Sequence, residues 1–134
     1  MLNKNNSLEI LLDFDGTITT HEFPKIGKDV GAVPILKALV ENGHELILFT
    51  MRCDSEKGQF LTDAVNWFKE KDIPLYGIQT NPTQHHWTTS PKAYGQLIID
   101  DTCLGIPLIE IIGMRPLVDW VGVGKLLHEK GLIS

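Results

Sequence analysis

Twice within its first 71 residues the chain repeats one unit: a short, nearly unbroken apolar run that stops on a polar residue, then a stretch with apolar residues at helical spacing. The first unit is Leu8 to Asp13 (Leu8, Ile10, Leu11, Leu12), followed by Val33 to Asn42 with Val33, Leu36, Leu39 and Val40 on one helical face and Gly43 as a stop. The second is Glu45 to Thr50, followed by Glu56 to Lys71 with Phe60, Ala64, Trp67 and Phe68 on one face and Pro74 beyond. Runs apolar at consecutive positions fit strands covered on both faces, and strands that alternate with helices fit a parallel sheet with right-handed crossovers.

Further on, the pattern predicts a short third strand over Leu75 to Ile78 and an irregular region from Gln79 to Thr89. A fourth strand is predicted from Gln96 to Ile99, ending at Asp100, and a fifth around Leu108 to Ile111. A last helix is predicted from Leu117 to Lys130, stopped by Gly131. The expected architecture is a single α/β domain over residues 1–134: a three-layer, Rossmann-like parallel sheet with helices on both faces. At 134 residues the chain has room for one core.

Composition narrows the function classes. Apolar stretches such as Leu46 to Phe49 and Leu97 to Ile99 are broken by polar groups far short of the roughly 20 residues of a membrane span. The first apolar run is flanked by Glu9 and ends at Asp13, unlike a secretory leader, so a cytoplasmic location is expected. Cys53 and Cys103 are too few for a disulfide framework or a four-ligand zinc site. A net charge of −5 argues against a nucleic-acid partner.

Ligands of open parallel sheets sit at the carboxyl ends of the strands, which directs attention to the polar residues just past each one. These are Asp13, Asp15 and Thr17, then Thr50 and Arg52, then Asp100 and Asp101. Asp13-Phe14-Asp15-Gly16-Thr17 places two carboxylates two residues apart as a strand ends, with a glycine that permits a sharp turn. Gly122-Val123-Gly124-Lys125 is no phosphate loop, because the positions a Walker motif requires as glycine and hydroxyl hold Asp119 and Leu126.

The Asp13-Phe14-Asp15-Gly16-Thr17 run, the strand-ending hydroxyl of Thr50, the lysine of Ser90-Pro91-Lys92 and the Asp100-Asp101 pair resemble, in order and context, the four motifs of the haloacid dehalogenase-like superfamily in its phosphatase branch. The resemblance spans about residues 8 to 101. It implies that Asp13 is a nucleophile that forms an aspartyl-phosphate, and that Asp15 is the general acid and base. It also implies that Gly16, Thr17, Thr50, Arg52 and Lys92 face the phosphate, with Thr50 and Lys92 counted among the catalytic groups. Carboxylates gathered in one pocket repel unless a cation intervenes, and Mg²⁺ suits oxygen ligands beside a phosphate. The implied metal ligands are Asp13, the main-chain carbonyl of Asp15, and a carboxylate from the Asp100/Asp101 pair, Asp101 being favoured.

Many relatives in that superfamily insert a cap after the first motif or between the second and third. Here about fifteen residues separate Thr17 from the first helix, and the 41 between Thr50 and Lys92 are largely used by a helix and a strand, so no separate cap domain is expected. An uncapped site is left to a phosphorylated small molecule, or to a phosphate on a larger molecule. Closure would then fall to a partner subunit in a homo-oligomer or to the Gln79–Thr89 loop with His85, His86 and Trp87; if that loop does not set selectivity, the short Ile18–Val30 flap does. The competing readings are a phospho-acceptor receiver module and a member of the superfamily without turnover. In the receiver family the acidic pair precedes the acceptor aspartate, the reverse of the order here.

Overall fold

The structure, a computed structural model, describes residues 7–134. The first six residues of the domain expected over 1–134 lie outside the described residues. In chain order the elements are β1 (Glu9–Leu12), α1 (Ala32–Glu41), β2 (Glu45–Leu48), β3 (Asp54–Ser55), β4 (Gly58–Gln59) and α2 (Phe60–Glu70). They continue with β5 (Gly77–Ile78), a 3₁₀ turn at Gln84–His86, β6 (Leu97–Ile99), β7 (Leu108–Ile109), β8 (Leu117–Val118) and α3 (Trp120–Glu129).

Four strands form one parallel sheet in the order β5-β2-β1-β6. Its register sets Leu12 beside both Leu48 and Ile99, so the three long strands end level with one another. The order reverses between β1 and β6, the place where open α/β sheets leave a crevice at their carboxyl edge.

Alternation along the strands divides the core in two. Ile10, Leu12, Leu46, Leu48 and Ile99 join a cluster with Leu36 and Leu39 of α1, Ala64, Trp67 and Phe68 of α2, and Trp120, Val123 and Leu127 of α3. Phe14, fully buried, meets the Trp67 ring edge-on at 5.8 Å and Phe68 at 6.2 Å, which anchors the start of the first loop. The other face carries a small cluster of Leu11, Ile47 and Ala93 with Tyr76.

The α/β class therefore holds, with helical cover coming from the three helices of the first cluster. On the second face the segment between β5 and β6 is held by side-chain amides instead of a helix. Asn81 Nδ2 donates to Glu9 and to the Tyr94 carbonyl at 2.9 and 3.1 Å. Gln84 Nε2 donates to the Ser90 and Lys92 carbonyls at 3.1 and 2.6 Å, while its Oε1 accepts from Tyr94 N at 2.7 Å. Pro82 and Pro91 in this segment lack the N–H that a helix interior would need.

Three predicted boundaries move for local reasons. Glu56-Lys57 turns a small antiparallel hairpin, β3–β4, so α2 begins at Phe60 instead of Glu56. The fifth strand stops at Ile109 and does not join the parallel sheet; it pairs antiparallel with β8, across a turn in which Gly113 adopts φ 81°. Leu117 and Val118 are strand, not helix, and α3 starts after Asp119, whose carboxylate accepts from Val121 N at 3.1 Å. No helix among the described residues is long and apolar enough to cross a membrane.

Candidate active site

Because the strands end level, the residues that follow them emerge together. Asp13 N donates to the Ile99 carbonyl at 3.1 Å and Phe49 N to the Leu12 carbonyl at 2.7 Å, which extends the ladder one step beyond the strands. Past that step lie Asp13, Thr50 and the Asp100-Asp101 pair. They line a cavity of about 500 Å³ with Asp15, His21, Phe23, Met51, Arg52, Thr102 and Arg115. Chemistry and not size marks this site. A slightly larger groove of about 560 Å³, beside Ile35, Trp120 and Gly124, is walled mainly by apolar side chains.

The carboxylates of Asp13, Asp100 and Asp101 offer oxygens within 4.8 Å of one another. Desolvation by burial, followed by the like charge of Asp100, pushes the Asp13 carboxyl up to about 7 from an ordinary 3.8, against the opposing hydrogen bond from Thr17. A compact set of oxygen donors, one of them held near-neutral for want of a counter-charge, fits a hard divalent cation.

Thr17 is a strut between the first motif and the last. Fully buried, it donates its hydroxyl to Asp13 Oδ2 at 2.7 Å and accepts from Asp101 N at 3.0 Å. Its carbonyl accepts from Trp120 Nε1 at 2.6 Å, tying α3 to the same turn. Gly16 is fixed by geometry. It has φ 79°, its N–H donates to the Thr19 carbonyl at 2.8 Å, and a Cβ there would fall 2.0 Å from the His21 ring. Neither Gly16 nor Thr17, both expected at the phosphate, has its hydrogen-bonding groups free for one.

Arg52 is also committed. Its guanidinium is buried between the rings of Phe14 and Phe23, 5.2 and 5.1 Å from their centroids. Nε and Nη2 grip Asp15 at 2.7 and 2.8 Å, Nη1 donates to the Pro24 and Phe60 carbonyls, and Nη2 also reaches the Lys25 carbonyl at 2.8 Å. These contacts occupy all five donors of an arginine. The Asp15 carboxylate accordingly faces Arg52 and stands apart from the acidic trio.

Thr50 lines the cavity with its hydroxyl, whose oxygen accepts from Arg52 N at 3.1 Å and whose proton is free to donate outward. Its position is set by Gln79, a non-glycine residue at φ 67°. Gln79 Oε1 accepts from Thr50 N at 2.8 Å, and its Nε2 donates to the Thr50 carbonyl at 2.7 Å. Lys92 is not brought to this edge. It is exposed and lines a separate cavity with Trp87, Tyr94, Gly95 and Ile98. His85, His86 and Trp87 also lie off the mouth, which is flanked instead by Phe23 of the Ile18–Val30 flap, Met51 and Arg115.

His21 and Arg115 belong to the site but to no motif. His21 Nε2 donates to the Pro116 carbonyl at 3.0 Å and lies 3.7 Å from Asp101 Oδ2. Arg115 Nη2 lies 4.0 Å from the same oxygen. No local signal in the sequence marks Arg115, because a β-hairpin, and not a strand end of the main sheet, delivers it.

No protein-family model matches the chain, and no curated protein matches it. Among solved structures, a conserved protein from Bacteroides thetaiotaomicron is 31% identical, with a TM-score of 0.72, over 93% of this chain and 93% of that one. That identity, sustained over nearly the full length of both chains, shows that the protein belongs to the family of this conserved Bacteroides protein.

Proposed function

We propose that the protein is a Mg²⁺-dependent phosphomonoester hydrolase built on a reduced, uncapped Rossmann-like fold of the haloacid dehalogenase type, with Asp13 as the nucleophile. The observation that carries this reading is the meeting of Asp13 with Asp100 and Asp101 at the point where the strand order reverses. Asp13, one of the Asp100/Asp101 pair and the Asp15 main-chain carbonyl would hold the metal, which when bound neutralises charge on the phosphate and the carboxylates.

In the first step an Asp13 carboxylate oxygen bonds to phosphorus as the ester P–O bond breaks, and the leaving oxygen takes a proton from Asp15. In the second, water bonds to phosphorus, its proton passes to Asp15, and the bond between Asp13 and phosphorus breaks. The proton gained by Asp15 in one turnover is the proton given in the next. The bidentate grip of Arg52 fixes the Asp15 carboxylate in orientation, and the Thr50 hydroxyl offers a donor to a phosphate oxygen. Proton transfer through Asp15 is worth on the order of 10²–10⁴-fold. A site flanked by Phe23, Met51 and Arg115, without a cap, suits a small phosphomonoester first and a phosphate on a larger molecule second.

Hydrolysis of a generic aryl phosphate by the purified protein tests the reading. Turnover is expected with Mg²⁺, none in excess EDTA, and none from Asp13→Asn at any metal concentration. Full activity in EDTA would sink it, as would a folded Asp13→Asn variant that still turns over.

A further inference from the structure

A dianionic phosphate entering a pocket where Asp13, Asp100 and Asp101 meet, Asp15 being already paired with Arg52, needs a cation from the protein as well as from the solvent. Two were expected, and neither serves. Lys92 lines a different cavity, and its carbonyl is pinned there by Gln84 Nε2 at 2.6 Å. Arg52 lines the right cavity but spends all five donors on Asp15 and three main-chain carbonyls, with its side chain 1% exposed. His21 lines the cavity too, yet its Nε2 is engaged by the Pro116 carbonyl at 3.0 Å.

One cationic group remains among the described residues that line the cavity. The Arg115 side chain is 72% exposed, and its nearest acidic atom, Asp101 Oδ2, stands 4.0 Å from Nη2, beyond hydrogen-bonding distance. Its donors are therefore available to a ligand. Its backbone is nonetheless well placed. The next residue, Pro116, is held by His21, and Leu117-Val118 pair with Leu108-Ile109 and reach the first loop through Val118 N to the Gly16 carbonyl at 3.1 Å. The hairpin is thus fastened to the Gly16 turn while the guanidinium above it is free.

We propose that Arg115 is the residue that binds the substrate's phosphate, in place of the lysine that the sequence motif suggests. The assignment deepens the phosphatase reading and rests on it. A guanidinium presents paired N–H groups to two phosphate oxygens at once, which a lysine ammonium does not. Arg115 sits at the mouth, 4.0 Å from Asp101 at the rim of the acidic trio, so it recruits and orients the phosphate, leaving bond-making to Asp13.

The test measures inorganic phosphate binding to the Mg²⁺-loaded protein by calorimetry, together with KM and kcat for an aryl phosphate. The comparison set is wild type, Arg115→Ala, Arg115→Lys and Lys92→Ala. Arg115→Ala is expected to weaken phosphate binding and raise KM about tenfold, the loss of roughly 1.4 kcal/mol, with a smaller change in kcat. Arg115→Lys should recover part of the loss. Unchanged phosphate affinity in Arg115→Ala would overturn the assignment while leaving the hydrolase reading intact, as would an equal or larger loss in Lys92→Ala. A wild type that binds phosphate through Arg115 but never turns over an ester would overturn the hydrolase reading and keep the phosphate site. A wild type that neither binds nor hydrolyses would overturn both.

Discussion

Two arginines line the same cavity, and they show opposite uses of one side chain. Arg52 is buried, stacked between Phe14 and Phe23, and has given every donor to Asp15 and the carbonyls of Pro24, Lys25 and Phe60. It joins the first loop, the flap and the start of α2 in one bonded unit. Arg115 is exposed, has only a 4.0 Å approach to Asp101, and joins nothing. Across the cavity the carboxylates divide in the same way, since both oxygens of Asp15 are met by a cation while Asp13 has Thr17 and two like charges. A saturated polar group is fixed in orientation, as the acid–base role of Asp15 requires, and an unsaturated one is where a ligand gains by binding. One side of the site therefore supplies rigidity and the other supplies affinity.

The sharpest way to break this contrast is to remove Arg52. Arg52→Ala leaves the Asp15 carboxylate without its partner, three main-chain carbonyls without donors, and a void between two aromatic rings. Breaking a buried pair from one side costs about 3–5 kcal/mol, and urea unfolding should show a loss of that size. Arg52→Lys should recover little, because an ammonium has three donors where five are used. A loss below about 1 kcal/mol would mean that the buried guanidinium is not a structural tie.

Asp13 gives the converse, a group whose charge costs stability. In metal-free protein the folded state holds the Asp13 proton until about pH 7, whereas an unfolded chain releases it near 3.8. The folded pKa is the raised one, so this contribution to stability is fully present below about pH 4 and is lost as the pH rises through 7. Asp13→Asn should abolish that decline, leaving the variant more stable than wild type by on the order of 2–4 kcal/mol at pH 8 in EDTA. Saturating Mg²⁺ should narrow the gap, because the ion stabilises wild type through a carboxylate the variant lacks. Parallel stability curves for the two proteins from pH 4 to 8 would show that Asp13 is not burdened by its surroundings.

Thr17 stands on the border of the two regions, and its hydroxyl serves both. Thr17→Val keeps the shape but removes the donor to Asp13 and the acceptor for Asp101 N, at a cost of about 1–3 kcal/mol. Thr17→Ser keeps both bonds and should cost less. An inversion of that order in urea would assign Thr17 to packing and not to the strut.

How much of this could be read from the residues follows from how each group is delivered. Asp13, Thr50, Asp100 and Asp101 are carried by apolar runs that end level in a parallel sheet, and the sequence shows both the runs and their polar ends. What distance along the chain conceals is which donors are already taken. Nothing local shows that Arg52 folds back onto Asp15, that Gln79 at φ 67° turns to hold Thr50, or that two amides, Asn81 and Gln84, stand in for a helix over the second face. Motif order places Lys92 at the edge, yet Gln84 holds its carbonyl beside Ser90 and Tyr94, ahead of the short strand β6, so it stays with the loop. The predicted helix over Leu117 and Val118 fails because an antiparallel partner, Leu108–Ile109, competes for their backbone, a contact that periodicity cannot register.

The smallest expected effect is the stability change in Arg115→Ala, and it is the one that makes the comparison quantitative. The Arg115 side chain is 72% exposed, and its one ionic neighbour among the described residues, Asp101, is at 4.0 Å. Exposed pairs of that kind contribute a few tenths of a kcal/mol at most, screened further by salt. Removing a positive charge near Asp101 costs a little stability, whereas removing a long side chain relieves its loss of rotamer entropy on folding, so the two small terms partly cancel. Urea unfolding should therefore place Arg115→Ala within about 0.5 kcal/mol of wild type, at least sixfold less than the loss expected for Arg52→Ala. Because the scaffold is untouched, any change in phosphate binding by the same variant belongs to the side chain itself. A stability loss above about 1 kcal/mol would show that Arg115 is another tie in the frame, and the division of the cavity into a bonded side and a binding side would no longer hold.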